Sequence, residues 1–170
     1  MQAYFSICAT ASSQQKYIDF LLSHYNSLNL PYSFPVALSY ISSPVLMYRE
    51  SILIYDEDDE IAGAIGYIHG TGENNYSDIH IVQVQIIYLL PKYRKTSLFV
   101  HSVQFLTQHL LQIETTVTEL RFWSLESSLW NKLGTATHVQ DIPQGKLVHY
   151  STPLTTLHEK VHQYSHEIYY

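Results

Sequence analysis

The 170-residue sequence is poor in several of the residues that most readily announce a function. It has one cysteine, Cys8, which excludes an internal disulfide and any zinc site built on several thiolates. A small buried side chain in a reducing, cytoplasmic setting is the simplest reading of that residue. Only 14% of the residues are charged, and nine Lys and Arg face fifteen Asp and Glu, for a net charge of −6. The clustered basic face of a dedicated nucleic-acid binder is therefore not expected. No apolar run approaches the ~20 residues that span a bilayer, and the opening MQAYFSICATASS lacks the basic lead and apolar core of a secretion signal. Glycine is scarce at six, and the turn PKYRKTS, residues 91–97, contains none. A turn that wraps an anion usually needs glycine, so that the backbone can approach closely or take positive φ.

What is present suits one folded domain. Hydrophobic residues make up 46% of the chain, with fifteen tyrosines and ten histidines, enough to build a core at this length. Periodicity predicts a strand over 3–9, then a helix capped at Ser12-Ser13 with Tyr17, Phe20, Leu21, His24, Tyr25 and Leu28 at helical spacing. A short helix over 34–41 follows. SILIY (51–55) and IAGAIGYI (61–68) read as a hairpin around the acidic turn 56–60, taken as solvated. IHIVQVQIIYLL (79–90) reads as the longest strand, and 97–111 as the clearest amphipathic helix. A strand over 120–125, a short helix stopped by Gly134 and a hairpin of 138–142 with 146–152 come next. Pro153 is expected to open a last helix with Leu154, Leu157, Val161, Tyr164 and Ile168 on one stripe. The physical conclusion is a mixed α/β fold, antiparallel at its start.

Three stretches in this order carry a resemblance: YDEDDEIAGAIGYI (55–68), VQVQIIYLLPKYRKTSLF (82–99) and SLWNKLG (128–134). Together they resemble the GNAT superfamily of N-acetyltransferases over roughly residues 3–152. The resemblance implies a mostly antiparallel central sheet flanked by helices, an acyltransferase domain over 1–152 and an extra C-terminal helix over 153–170. It also implies an acyl-CoA co-substrate, most simply acetyl-CoA, and an amine acceptor that attacks the thioester directly; no metal is expected, and the composition points to no nucleic-acid or membrane partner. The pyrophosphate would sit on the turn after the fourth strand, where N–H groups at a helix start and the helix dipole favour an anion. This assigns Leu89, Leu90, Arg94, Lys95, Thr96, Ser97, Leu98 and Phe99 to the cofactor. The family pattern Arg/Gln-x-x-Gly-x-Gly/Ala falls on Arg94, Ser97 and Phe99, so both glycine positions are changed.

The chemistry-bearing positions are changed as well. The family's strand-four carboxylate falls on Gln83, which cannot accept a proton at neutral pH. Its tyrosine falls on Trp130, a donor only, and Trp123 and Ser124 stand in the region where an asparagine is often found. Gln83 and Tyr88 remain the catalytic candidates, with Gln85 and Trp130 as substrate-binding ones. Tyr67 and His80 are further groups that could line the same cleft. A catalytically degenerate GNAT-fold binding protein is therefore the alternative function. A separate motif, HEKVH (158–162), matches the spacing that binds zinc on a helix. It lacks the glycine turn and downstream third ligand of a protease, and reads better as a wet helix face. The apolar stripe opposite it would pack on the body of the domain or on a second copy in a homodimer.

Overall fold

The computed structural model describes residues 2–167. Within them the chain forms β1 (Tyr4–Ile7), α1 (Ala11–Ser23), α2 (Tyr25–Leu28), α3 (Phe34–Leu46), β2 (Ser51–Tyr55), β3 (Ile61–His69) and β4 (Ile81–Leu89). It continues through α4 (Leu98–Gln112), β5 (Glu119–Leu125), α5 (Ser128–Leu133), β6 (Thr135–Ile142), β7 (Gly145–Pro153) and α6 (Leu154–Glu167). The strands form one seven-stranded sheet in the order β1-β2-β3-β4-β5-β7-β6. β1–β2, β2–β3, β5–β7 and β6–β7 pair antiparallel, and β4–β5 pairs parallel. The expected mixed α/β sheet with flanking helices is thus observed. No helix among the described residues is long and apolar enough to cross a membrane.

The chain divides into two compact units, residues 1–68 with 85–96, and residues 69–84 with 97–170. In the first, α1 starts from Thr10 rather than at Ser12-Ser13. The Thr10 hydroxyl accepts from the Ser13 N–H while Ser13 Oγ accepts from the Thr10 N–H, a reciprocal capping box. The buried face of α1, Tyr17, Phe20 and Leu21, packs with Cys8, Ile41, Leu53, Ala64, Ile86 and Tyr88 into one core. α3 runs past the expected stop at Ile41 to Leu46 and carries Pro44 inside it. The reason lies on β3: a Cβ on Gly66 would sit 2.1 Å from the Tyr17 hydroxyl and 2.7 Å from Pro44 Cγ. The missing side chain admits both groups against the strand, and that packing outweighs the lost helix hydrogen bond at Pro44.

In the second unit β5 pairs with β7 from Glu119–Pro153 to Leu125–Leu147. Pro153 therefore closes a strand instead of opening the helix, at a strand end where its missing N–H costs little. Gly134 does end α5, but with φ −137 it is extended rather than left-handed. α6 lays Leu154, Leu157 and Val161, all buried, toward α4, where Gln104 Nε2 donates to the Val161 carbonyl at 2.9 Å. Burial of each such leucine contributes about 1.5–3 kcal/mol. Tyr164 is half-buried on the same stripe; Ile168 lies outside the described residues.

Candidate active site

In the first unit the turn after β4 is built by side chains. The Leu90 N–H donates to the Ala62 carbonyl on β3 at 2.9 Å, so this donor, on a residue assigned to the cofactor, is used by the sheet. Backbone groups alternate between the two edges of a strand, so the Leu89 N–H points away from β3. The Leu89 carbonyl accepts from Arg94 Nε at 3.1 Å, and Arg94 Nη2 donates to the Ser27 carbonyl at 3.1 Å. The guanidinium also lies 5.4 Å from the centre of the Tyr88 ring. Arg94 thus fastens the turn to the end of α2 with two of its donors. Gly63 permits the approach of β4 from the other side, since a Cβ there would fall 2.5 Å from the Tyr88 carbonyl and 2.6 Å from Leu89 Cδ2.

A second fastening joins this turn to the β2–β3 hairpin. The Tyr93 hydroxyl donates to Asp56 Oδ2 at 2.5 Å, and Lys92 Nζ stands 3.9 Å from the same oxygen. Asp56 Oδ1 accepts the Asp58 and Glu60 N–H groups, each at 3.0 Å. The hydrogen bond from Tyr93 is the main cause that holds the Asp56 carboxyl below the usual carboxylate range. The acidic run is therefore not wholly solvated as expected: Asp56 is only 4% exposed, and residues 57–60 carry the exposure. Neither Asp56 nor Tyr93 stood out in the sequence as a functional residue. The signal was an acid at the first position of the turn, where its oxygen can accept the N–H two residues on. Lys95 and Thr96 are exposed on the turn, and the Thr96 hydroxyl donates to the Tyr93 carbonyl at 2.7 Å.

Tyr88 belongs to the core. It is 5% exposed, its ring packs on Phe20 at 5.8 Å and His24 at 5.9 Å, and its hydroxyl is buried without a hydrogen-bond partner. Gln85 is half-buried on the opposite face of β4, one residue beyond the last residue that pairs with β5, Val84. Tyr67 is buried, and burial raises its hydroxyl above the ordinary tyrosine range.

In the second unit α4 opens at Ser97, whose side chain makes no capping hydrogen bond. The first-turn N–H groups have no acceptor inside the helix, and its dipole favours an anion there. Leu98 is buried. The Phe99 ring meets Trp130 edge-on at 5.4 Å, Trp130 packs on Phe122 at 4.4 Å, and Phe122 stacks on Tyr150 at 5.4 Å. The bulk at the second glycine position is thus absorbed by an aromatic cluster. Tyr150, fully buried, donates its hydroxyl to Asn131 Oδ1 at 2.8 Å, and burial raises its pKa. Sequence reasoning passed over this phenol beside α5. Gln83 Nε2 donates to the Gly70 carbonyl at 2.7 Å, which commits its amide to the loop after β3.

His80 is exposed just before β4 begins, with its carbonyl accepting from Thr118 and Glu119. The HEKVH histidines make helix contacts, one of them to α4. His158 Nδ1 is 3.1 Å from the Thr107 hydroxyl, and His162 Nδ1 is 2.8 Å from the His158 carbonyl. Among the described residues no three His, Cys, Asp or Glu gather as a metal-binding group; the side chain of His166 lies outside them.

No family model matches the sequence, and no curated protein matches it. Solved structures do match it by shape. An acetyltransferase of the GNAT family from Staphylococcus aureus is 14% identical with a TM-score of 0.62, over 90% of this chain and 99% of that one. The aminoglycoside acetyltransferase AAC(6')-Ib in complex with coenzyme A and kanamycin is 14% identical with a TM-score of 0.61, over 93% and 98%. The spermidine N-acetyltransferase SpeG from Vibrio cholerae is 9% identical with a TM-score of 0.62, over 92% and 96%. With the parallel β4–β5 pair, the turn after β4 and α4 in place, the chain has the fold of the GNAT acetyltransferases over 90% of its length.

Proposed function

We propose that the chain is an acyl-CoA-dependent N-acyltransferase, with acetyl-CoA as the simplest donor and an amine as acceptor. In this reading residues 1–152 make up the acyltransferase domain and α6, Leu154–Glu167, extends it. The observation that carries the reading is the turn after β4, which keeps an ordered path without glycine and leads into an uncapped helix start at Ser97. The residues there fit an acyl-CoA: Lys95 supplies charge, the Ser97 hydroxyl and first-turn N–H groups supply donors, and the Leu89 N–H is directed away from β3. The acceptor nitrogen attacks the thioester carbon while the Leu89 N–H donates to the developing oxyanion. The C–N bond forms, the C–S bond breaks, and the departing thiolate takes up the proton the amine loses. Gln83 cannot accept that proton, so solvent carries it. Proximity would then supply most of the rate.

The structures of similar shape include enzymes named for aminoglycoside and spermidine acetylation, and an amine acceptor here rests on that likeness. The alternative is a GNAT-fold binding protein without acyl transfer. It is favoured by one observation, the aromatic packing of Trp130 where a proton donor is expected. Calorimetric titration with acetyl-CoA and coenzyme A, beside an Arg94→Glu variant, tests the first reading. Micromolar binding that the variant loses supports it, and no binding at millimolar ligand sinks it.

A further inference from the structure

The glycine-free turn raises a physical problem. Glycines normally let such a turn adopt its shape cheaply, and residues 91–97 have only ordinary side chains with which to hold it. The Tyr93–Asp56 contact has the features of a dedicated brace. It spans 37 positions in sequence, involves a charged acceptor and is short at 2.5 Å. Its carboxylate is itself pinned by two N–H donors, Asp58 and Glu60. Hydrogen bonds to ionised groups are about twice as strong as neutral ones, and a carboxylate held by several donors cannot drift. Tyr93 also sits one residue before Arg94 and four before Ser97, so its hydroxyl fixes the backbone that delivers the anion-facing groups.

We propose that Asp56 and Tyr93 are positioning residues for a pyrophosphate-bearing ligand, the side-chain brace replacing the glycines in shaping the turn. The inference rests on the acyl-CoA reading for the identity of that ligand. Neither residue touches the ligand in this scheme. Both act through the backbone of 94–97, and Lys92, 3.9 Å from the same carboxylate, shares the anchor.

The test uses Tyr93→Phe, Asp56→Asn and the double variant, titrated calorimetrically with coenzyme A and, separately, with inorganic pyrophosphate. Melting temperatures of the ligand-free proteins are recorded alongside. Tyr93→Phe keeps the ring and loses only the hydroxyl. Coenzyme A and pyrophosphate affinities, read well below the melting temperature, are expected to fall by about tenfold, the scale of one hydrogen bond to a charged group, with the melting temperature a few degrees lower. The double variant is expected to bind no worse than the weaker single variant, because both remove the same contact. Wild-type affinity in Tyr93→Phe, or additive losses in the double variant, would overturn the brace. A wild-type protein that binds pyrophosphate, with the variant weaker, but not coenzyme A would refute the acyl-CoA reading and leave the brace standing. Binding of neither probe by the wild type would refute both.

Discussion

The turn after β4 and the aromatic cluster beside α5 are held by different forces. In the turn, which contains no glycine, the bracing is polar: Arg94 to Leu89 and Ser27, Tyr93 to Asp56. In the cluster the bracing is apolar: Phe99, Trp130, Phe122 and Tyr150 fill the space with rings. Polar bracing keeps a backbone in shape and leaves donors available to an anion. Ring packing stabilises the fold but supplies no proton. Under the proposed function, this contrast predicts a chain that binds its ligand better than it transfers an acyl group.

The largest effect is expected in the cluster. Tyr150→Ala removes a fully buried ring and its hydrogen bond to Asn131, and should cost about 3–5 kcal/mol of stability by chemical denaturation. A cost below about 1 kcal/mol would mean that the cluster is not a packing unit. A smaller effect is expected at the turn. Gly63→Ala places a methyl 2.5 Å from the Tyr88 carbonyl, and should cost about 1–3 kcal/mol by overpacking. It should also weaken coenzyme A binding more than Tyr150→Ala does at a temperature where both variants are folded. Equal losses in the two variants would erase the distinction between the regions.

The smallest effect is a pH dependence that separates them. Burial lowers the pKa of His109, His149 and His158, all in the second unit. Their folded forms bind fewer protons than the unfolded chain, so their stability contribution is full above the ordinary histidine range and is lost as pH falls from about 6.5. Asp56 in the first unit has a lowered carboxyl, so its contribution holds down to about pH 4 and is lost only below that. Both tryptophans, Trp123 and Trp130, lie in the second unit. The tryptophan-monitored urea midpoint should therefore drop between about pH 7 and pH 5.5, and Asp56→Asn should leave that drop unchanged. A flat midpoint over this range would remove the histidine argument.

Much of the architecture was legible because hydrophobic periodicity is local. The alternation in 81–89 and the helical spacing in 98–112 each name their element from neighbouring residues alone. Errors fell where a distant partner decided. α3 runs through Pro44 because Gly66 on another element makes room for it. Pro153 stays in β7 because Glu119 pairs with it. The candidate site was legible as a stretch of chain but not as a set of contacts. Arg94 could be read as a cation near a turn, yet its acceptors are the Leu89 and Ser27 carbonyls, one of them 67 positions away. Tyr88 could be read as a strand tyrosine, but not as one whose hydroxyl is buried beside α1.

By itself the sequence determined the order of elements, the glycine-free turn and the absence of a carboxylate at position 83, because each depends on residue identity and local spacing. Only the tertiary structure decided that Asp56 reaches Tyr93, that Phe99 rests on Trp130 and that Gln83 is committed to Gly70. Those pairings join residues that local forces do not bring together. They follow from burial and packing in the folded chain, which select long-range partners that spacing along the chain does not encode.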